Sequence, residues 1–206
     1  MEINVVEFDK IAREVFAPIY PVIAEQIIAR TGINKGCCLD IGCGGGYLGL
    51  ALAQITELEM VLFDELAEML DLAQGYIHDR GLESRVKTLQ GDVHAIPLPD
   101  GSVNLAISRG SLFFWEDQAQ AFREIHRVLA PGGMTCIGGG FGNQELLKKI
   151  EKEMLLRDPD WNRQRRQRVV KSRAADYRAK LEQAGIKDFE IKQDESGLWI
   201  IIRRSA

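Results

Sequence analysis

Apolar residues recur at helical spacing through the N-terminal segment. Phe8, Ile11, Val15, Ile19, Val22, Ile23 and Ile27 fall on one stripe, which predicts a helix over 8–29 with a break at Pro18 and Pro21. Thr31-Gly32 ends it. The pattern then alternates. A short apolar run at 37–41 ends in glycines and reads as a buried strand, followed by a helix over 48–55. A second strand at 58–63 precedes a helix over 67–79 that Gly81 closes. Strands at 86–90 and 103–108 follow, the latter after the turn Pro99-Asp100-Gly101. A helix over 118–129 turns Phe122, Ile125, Val128 and Leu129 to its buried side and stops at Pro131-Gly132-Gly133. A fifth strand at 134–137 runs into Gly138-Gly139-Gly140-Phe141-Gly142.

Strands that alternate with single helices predict an α/β fold with a mostly parallel sheet and helices on both faces. The end of the chain breaks this rhythm. Leu146, Leu147, Ile150 and Met154 mark one helix, and Tyr177, Leu181 and Ala184 another, closed by Gly185. Strand-like segments at 189–192 and 198–203 flank Asp194-Glu195-Ser196-Gly197, a hairpin signal. One antiparallel strand on the otherwise parallel sheet is therefore expected.

At 206 residues, with 46% apolar and 27% charged, the chain has the make-up of one soluble domain. The opening MEINVVEFDK lacks a basic stretch followed by an apolar one, so no secretory leader is read there. No apolar run approaches the roughly 18–20 residues that span a bilayer. The expectation is a cytoplasmic protein without membrane partners. Cys37, Cys38, Cys43 and Cys136 form no C-x-x-C pair, and no metal site is expected. Cys37 and Cys38 are neighbours on a strand and should face opposite sides. Residues 1–140 carry a net charge of −9 and residues 141–206 one of +5.

The strongest chemical signal is Leu39-Asp40-Ile41-Gly42-Cys43-Gly44-Gly45-Gly46-Tyr47-Leu48-Gly49. A strand running into glycines and then a helix sits at the carboxyl edge of such a sheet, where ligands bind. Gly44, Gly46 and Gly49 spell a dinucleotide-type G-x-G-x-x-G, but its register is late and Asp40 lies two residues before the first glycine. A carboxylate there suits an ammonium group better than phosphates. Asp64-Glu65 ends the second strand, 22 residues after Gly42, where a carboxylate can accept from a ribose diol. Asp92, in Gly91-Asp92-Val93 after the third strand, can accept from an adenine amino group. A single Asp at a strand end is as often a cap; three at successive strand ends behind a glycine turn point to a nucleoside.

These residues resemble the class I, Rossmann-like S-adenosylmethionine-dependent methyltransferases. The resemblance covers roughly residues 35–142. It rests on LDIGCGGGYLGLAL (39–52), Asp64 with Met69-Leu70 and Ala73, GDVHAIPLPDGSVNLAIS (91–108) and FREIHRVLAPGG (122–133). It implies a seven-stranded sheet with an antiparallel insertion of the last strand. It divides the single domain into a helical lid (1–34), a cofactor-binding core (35–142) and C-terminal helices with a hairpin (143–206). It implies S-adenosylmethionine as cofactor and S-adenosylhomocysteine as product. Asp40, Gly42, Cys43 and Gly44 would hold the methionine part, with Ser108 closing that side. Asp64 would take the ribose, and Asp92 and Val93 the adenine. Glu65 stands where the family usually has an apolar residue against the adenine.

The acceptor side should follow the fourth strand, in Ser108-Arg109-Gly110-Ser111-Leu112-Phe113-Phe114-Trp115-Glu116-Asp117. It lacks the Asn/Asp-Pro-Pro-Tyr/Phe signature and the Pro-Cys nucleophile that mark base methylation in this family. Arg109 can pin an anionic acceptor, Trp115 can face a sulfonium, and His94 is a candidate base. The plain alternative is that Phe113 and Phe114 pack the next helix. The segment 161–180 carries Arg163, Arg165, Arg166, Arg168, Lys171, Arg173, Arg178 and Lys180 against Asp176. It reads as a solvated face, a lid over an anionic small molecule, or an RNA-binding face. No nucleic-acid module is appended and the net charge is −4, so a small-molecule acceptor is favoured over RNA. A non-catalytic S-adenosylmethionine-binding regulator and a nicotinamide dehydrogenase are the rival readings.

Overall fold

The computed structural model describes residues 4–171, 174–194 and 197–205. Two helices, α1 (Val5–Glu14) and α2 (Ile19–Thr31), lead into β1 (Lys35–Ile41). Then come α3 (Tyr47–Ile55), β2 (Glu57–Asp64), α4 (Ala67–Asp79), β3 (Val86–Gln90) and β4 (Val103–Arg109). A short 3₁₀ turn at Leu112–Phe114 precedes α5 (Gln118–Val128) and β5 (Leu129–Gly140). The chain ends in α6 (Gln144–Arg157), α7 (Trp161–Lys171), α8 (Ala174–Gln183), β6 (Phe189–Asp194) and β7 (Gly197–Ile202).

The strands form one sheet in the order β3-β2-β1-β4-β5-β7-β6. β1 to β5 pair in parallel, while β7 runs antiparallel to both β5 and β6. The chain steps outward from β1 to β3 and then returns to β4 beside β1. That reversal opens a crevice at the carboxyl ends of β1 and β4, the usual ligand position in such sheets. This is the seven-stranded Rossmann-like arrangement that the resemblance implies. Helices cover both faces. Cys38, Leu62, Leu105 and Trp199 pack against α2, α3 and α4 on one side, and Leu39, Val61 and Ile200 pack against α5 and α8 on the other. Cys37 packs in the second layer and Cys38 in the first, as strand alternation requires.

Two details depart from the sequence pattern. The N-terminal helix breaks at residues 15–18, and Pro21 lies inside the first turn of α2. A residue there has no intrahelical N–H partner to lose, so proline is tolerated. The fifth strand begins at Leu129, before Pro131-Gly132-Gly133. Val103 pairs with Leu129 while Leu105 pairs with Met134, so these residues bulge out of the ladder instead of ending it. The glycine cluster after residue 137 also has a packing cause. A Cβ on Gly138 would collide with the Leu198 carbonyl, and one on Gly197 with the Gly139 carbonyl. The hairpin tip, Glu195-Ser196, lies outside the described residues, as do Arg173 and the side chains of Arg166, Arg168 and Lys171.

Candidate active site

A cleft of about 700 Å³ opens along the carboxyl edge of the sheet. One half is built by the glycine turn and the ends of β2 and β3. The turn places Gly42, Gly44 and Gly46 at φ of 64°, 54° and 78°, a region that side chains other than glycine's rarely adopt. The Gly42 and Cys43 N–H groups donate to the Phe63 carbonyl at 2.8 and 3.1 Å, which ties the turn to β2. Asp64 Oδ2 accepts the Gly44 N–H at 2.8 Å, and its Oδ1 accepts the Leu66 N–H at 3.1 Å. Asp64 thus shapes the turn and lines the cleft at once.

Asp40 is buried behind the turn, where its Oδ2 accepts the Gly49 N–H at 2.9 Å. Burial pushes its pKa up to about 7; the Gly49 bond opposes the rise and the Asp64 charge adds to it. The Cys43 thiol donates to the Gly44 carbonyl at 3.3 Å. Ser108 Oγ pairs with Ser111 Oγ at 2.6 Å, and Ser111 Oγ donates to the Ile41 carbonyl at 3.0 Å. Ser111 faces the cleft, whereas Asp40, Cys43 and Ser108 lie behind its lining.

Glu65, Asp92, Val93 and His94 line the cleft beyond Asp64. Asp92 Oδ1 accepts the His94 backbone N–H at 2.8 Å and its ring Nδ1–H at 2.6 Å. The backbone bond is the main reason its carboxyl sits below the usual range. His94 Nε2 accepts the Asp117 backbone N–H at 3.2 Å, which leaves the ring proton on Nδ1. Both ring nitrogens are therefore occupied, and His94 fastens Asp92 to the start of α5.

The other half is aromatic and basic. Arg109, the last residue of β4, has its guanidinium carbon 4.8 Å from the Phe16 ring centre and 5.2 Å from that of Phe141. Its Nε donates to the Gly140 carbonyl at 3.1 Å, and burial lowers its pKa. Among the described residues no carboxylate pairs with it. Phe113 packs over Gly139, where a Cβ would stand 2.9 Å from its ring. Trp115 meets Phe122 of α5 edge-on at 6.1 Å, so it both packs the helix and lines the cleft. Phe114 lines the mouth and is largely exposed.

Phe8, Phe16, Trp161 and Arg165 also line the cleft, although the sequence did not single them out as site residues. Phe8 belongs to α1, Phe16 to the break between α1 and α2, and Trp161 and Arg165 to α7. The α1 helix is held over the glycine turn by Asp9, whose carboxylate accepts the Tyr47 hydroxyl at 2.6 Å and the Tyr76 hydroxyl at 2.9 Å. Burial, then the bond to Asp9, pushes the Tyr47 hydroxyl well above its ordinary pKa. Tyr20 stacks on Tyr47 with ring centres 5.4 Å apart. The apolar stripe of the first helix and the lid that the resemblance implies for 1–34 were the two hints that this segment had a fixed seat.

A general methyltransferase-domain family model matches residues 39–137. A solved structure from Methanococcus maripaludis, provisionally described as an S-adenosyl-L-methionine-dependent methyltransferase, is 42% identical, with a TM-score of 0.94 over 100% of this chain and 98% of that one. The ubiquinone/menaquinone biosynthesis C-methyltransferase UbiE of Pseudoalteromonas translucida is 32% identical over 54% of this chain and 46% of its own length. A chloroplastic 2-methyl-6-phytyl-1,4-hydroquinone methyltransferase of rice is 26% identical over 75% of this chain and 42% of its own. The chain thus spans less than half the length of these two curated relatives. The sheet order and the acidic strand ends behind a glycine turn define a Rossmann-like fold built for an adenosyl cofactor. The chain belongs to the class I S-adenosylmethionine-dependent methyltransferases.

The donor set fits that cofactor. Asp64, Glu65 and Asp92 ring one half of the cleft, with Asp40 behind it. Such a rim repels a pyrophosphate and accepts hydroxyl and amino hydrogens.

Proposed function

We propose that this protein transfers a methyl group from S-adenosylmethionine to a small molecule carrying an anionic group. The bound cofactor supplies an electrophilic methyl on a sulfonium centre. Asp64 accepts from the ribose hydroxyls while it holds the turn, and the free Oδ2 of Asp92 accepts from the adenine amino group. Asp40 faces the ammonium end through the turn, with Gly42, Cys43, Gly44 and Ser108 shaping that end. Glu65 and Val93 flank the base. The α1 helix covers the cofactor half through Phe8.

Displacement at a sulfonium needs positioning and exclusion of water more than a dedicated base. His94, with both nitrogens occupied, orients Asp92. Arg109 orients the acceptor, and Trp115 walls the pocket beside it. One observation carries the reading: a guanidinium at the end of β4 with no carboxylate partner among the described residues, next to the glycine turn, inside an aromatic cleft. The hydroquinone named for the rice relative is an aromatic acceptor, which accords with such walls.

The test is incubation with methyl-labelled S-adenosylmethionine and either a metabolite extract or RNA. Label in the low-mass fraction is expected. Label in RNA alone would move the reading to the basic C-terminal segment. No transfer despite cofactor binding would make the protein a regulator.

A further inference from the structure

We propose that the acceptor is a monocarboxylate, seated by two guanidinium groups, Arg109 and Arg165, that share the Phe141 ring. The proposal rests on the reading of this half of the cleft as the acceptor pocket. Arg109 is held in place by the Gly140 carbonyl at Nε and by the Phe16 and Phe141 rings. Its terminal nitrogens have no acceptor among the described residues. Ring faces ease the desolvation of a cation but accept no in-plane hydrogen bond. A partly buried charge without a counter-charge is costly, and an anion in the cleft would relieve that cost.

Arg165, from α7, lies 5.9 Å from the Phe141 ring centre and 5.6 Å from that of Trp161. It pairs with Glu151 at 2.5 Å, and its Nε is buried without a partner. Arg165 therefore brings a second guanidinium to the cleft wall with its charge already balanced by Glu151. The two arginines and Glu151 leave one net positive charge beside Phe141. Glu116 lines the same cleft, and its carboxylate opposes a second negative charge on a ligand there. That balance favours a monoanion over a phosphate dianion. The planar fork of a guanidinium matches a carboxylate through two parallel hydrogen bonds.

The experiment is calorimetric titration with benzoate, benzamide and phenyl phosphate, each with S-adenosylhomocysteine at saturation. Benzoate should bind at least about tenfold tighter than benzamide, and tighter than phenyl phosphate. Arg109→Met should erase the preference, and Arg109→Lys should keep part of it. Arg165→Met should weaken benzoate severalfold and leave benzamide unmoved. Glu151→Gln should act in the opposite sense and tighten both anions, because it frees the Arg165 charge. A packing role for Arg165 would move all three probes together. Equal binding of benzoate and benzamide by the parent protein would overturn the proposal. So would a preference that survives Arg109→Met. Loss of the homocysteine compound's binding in the parent would instead bring down the methyltransferase reading itself.

Discussion

On the side of β1, β2 and β3 the cleft is acidic and drawn from consecutive strand ends. On the side of β4, β5 and α7 it is aromatic and basic, drawn from segments as far apart as Phe16, Arg109, Phe141 and Arg165. The first side is local: each acid sits within two residues of the end of its own strand, and backbone N–H groups fix it in place. The second is an assembly of side chains from the break between α1 and α2, the ends of β4 and β5, and α7, so their positions depend on how these segments dock. A fold can thus keep one half of its cleft for a common cofactor while the other half varies with the acceptor.

The sharpest way to break the comparison is at Asp64. Asp64→Ala removes the partner of both the Gly44 and the Leu66 N–H groups as well as a cleft carboxylate. It should weaken S-adenosylhomocysteine binding by roughly 1.5–3 kcal/mol in a calorimetric titration, with the far-ultraviolet circular dichroism spectrum unchanged. Undiminished binding would reduce Asp64 to a cap of the loop.

Next in size is the opposite half. Arg109→Lys keeps a charge but loses the fork, and should lower methyl transfer to the acceptor about tenfold, roughly 1.4 kcal/mol, at parental cofactor affinity. Initial rates and cofactor titrations on the same preparations check this. Lost cofactor binding would show that the two halves are not separable at β4.

A smaller effect should appear with pH. Asp40 is protonated below about 7 in the free protein because burial opposes its charge. Above that pH it ionises and attracts an ammonium group. Cofactor affinity should therefore rise between pH 6 and 8 by up to about tenfold, with proton release on binding. Asp40→Asn should flatten the rise. An affinity that falls with pH in the parent would place Asp40 away from the ammonium end.

The same contrast explains what was legible in the sequence. Strand ends and the glycine turn are encoded by contiguous residues, so Asp40, Asp64 and Asp92 stood out together. The α4 helix and β3 fall where periodicity placed them. The bulge at 130–133 was hidden because Pro-Gly-Gly signals a stop equally well in a turn and in a distorted strand. His94 looked free because its second nitrogen is taken by the backbone of Asp117, 23 residues away. Phe16 carried no mark, and Arg165 stood out only as one of a basic run that reads equally as a solvated face, a lid over an anionic small molecule or an RNA-binding face until its neighbours are known.

The measurement that tests the central claim most directly is a pair of calorimetric titrations, one with S-adenosylhomocysteine and one with NAD. An acidic cleft behind a glycine turn predicts a Kd of roughly micromolar order for the adenosyl compound, about −8 kcal/mol, and no comparable heat from NAD. Tight NAD binding with silence toward the adenosyl compound would contradict the account.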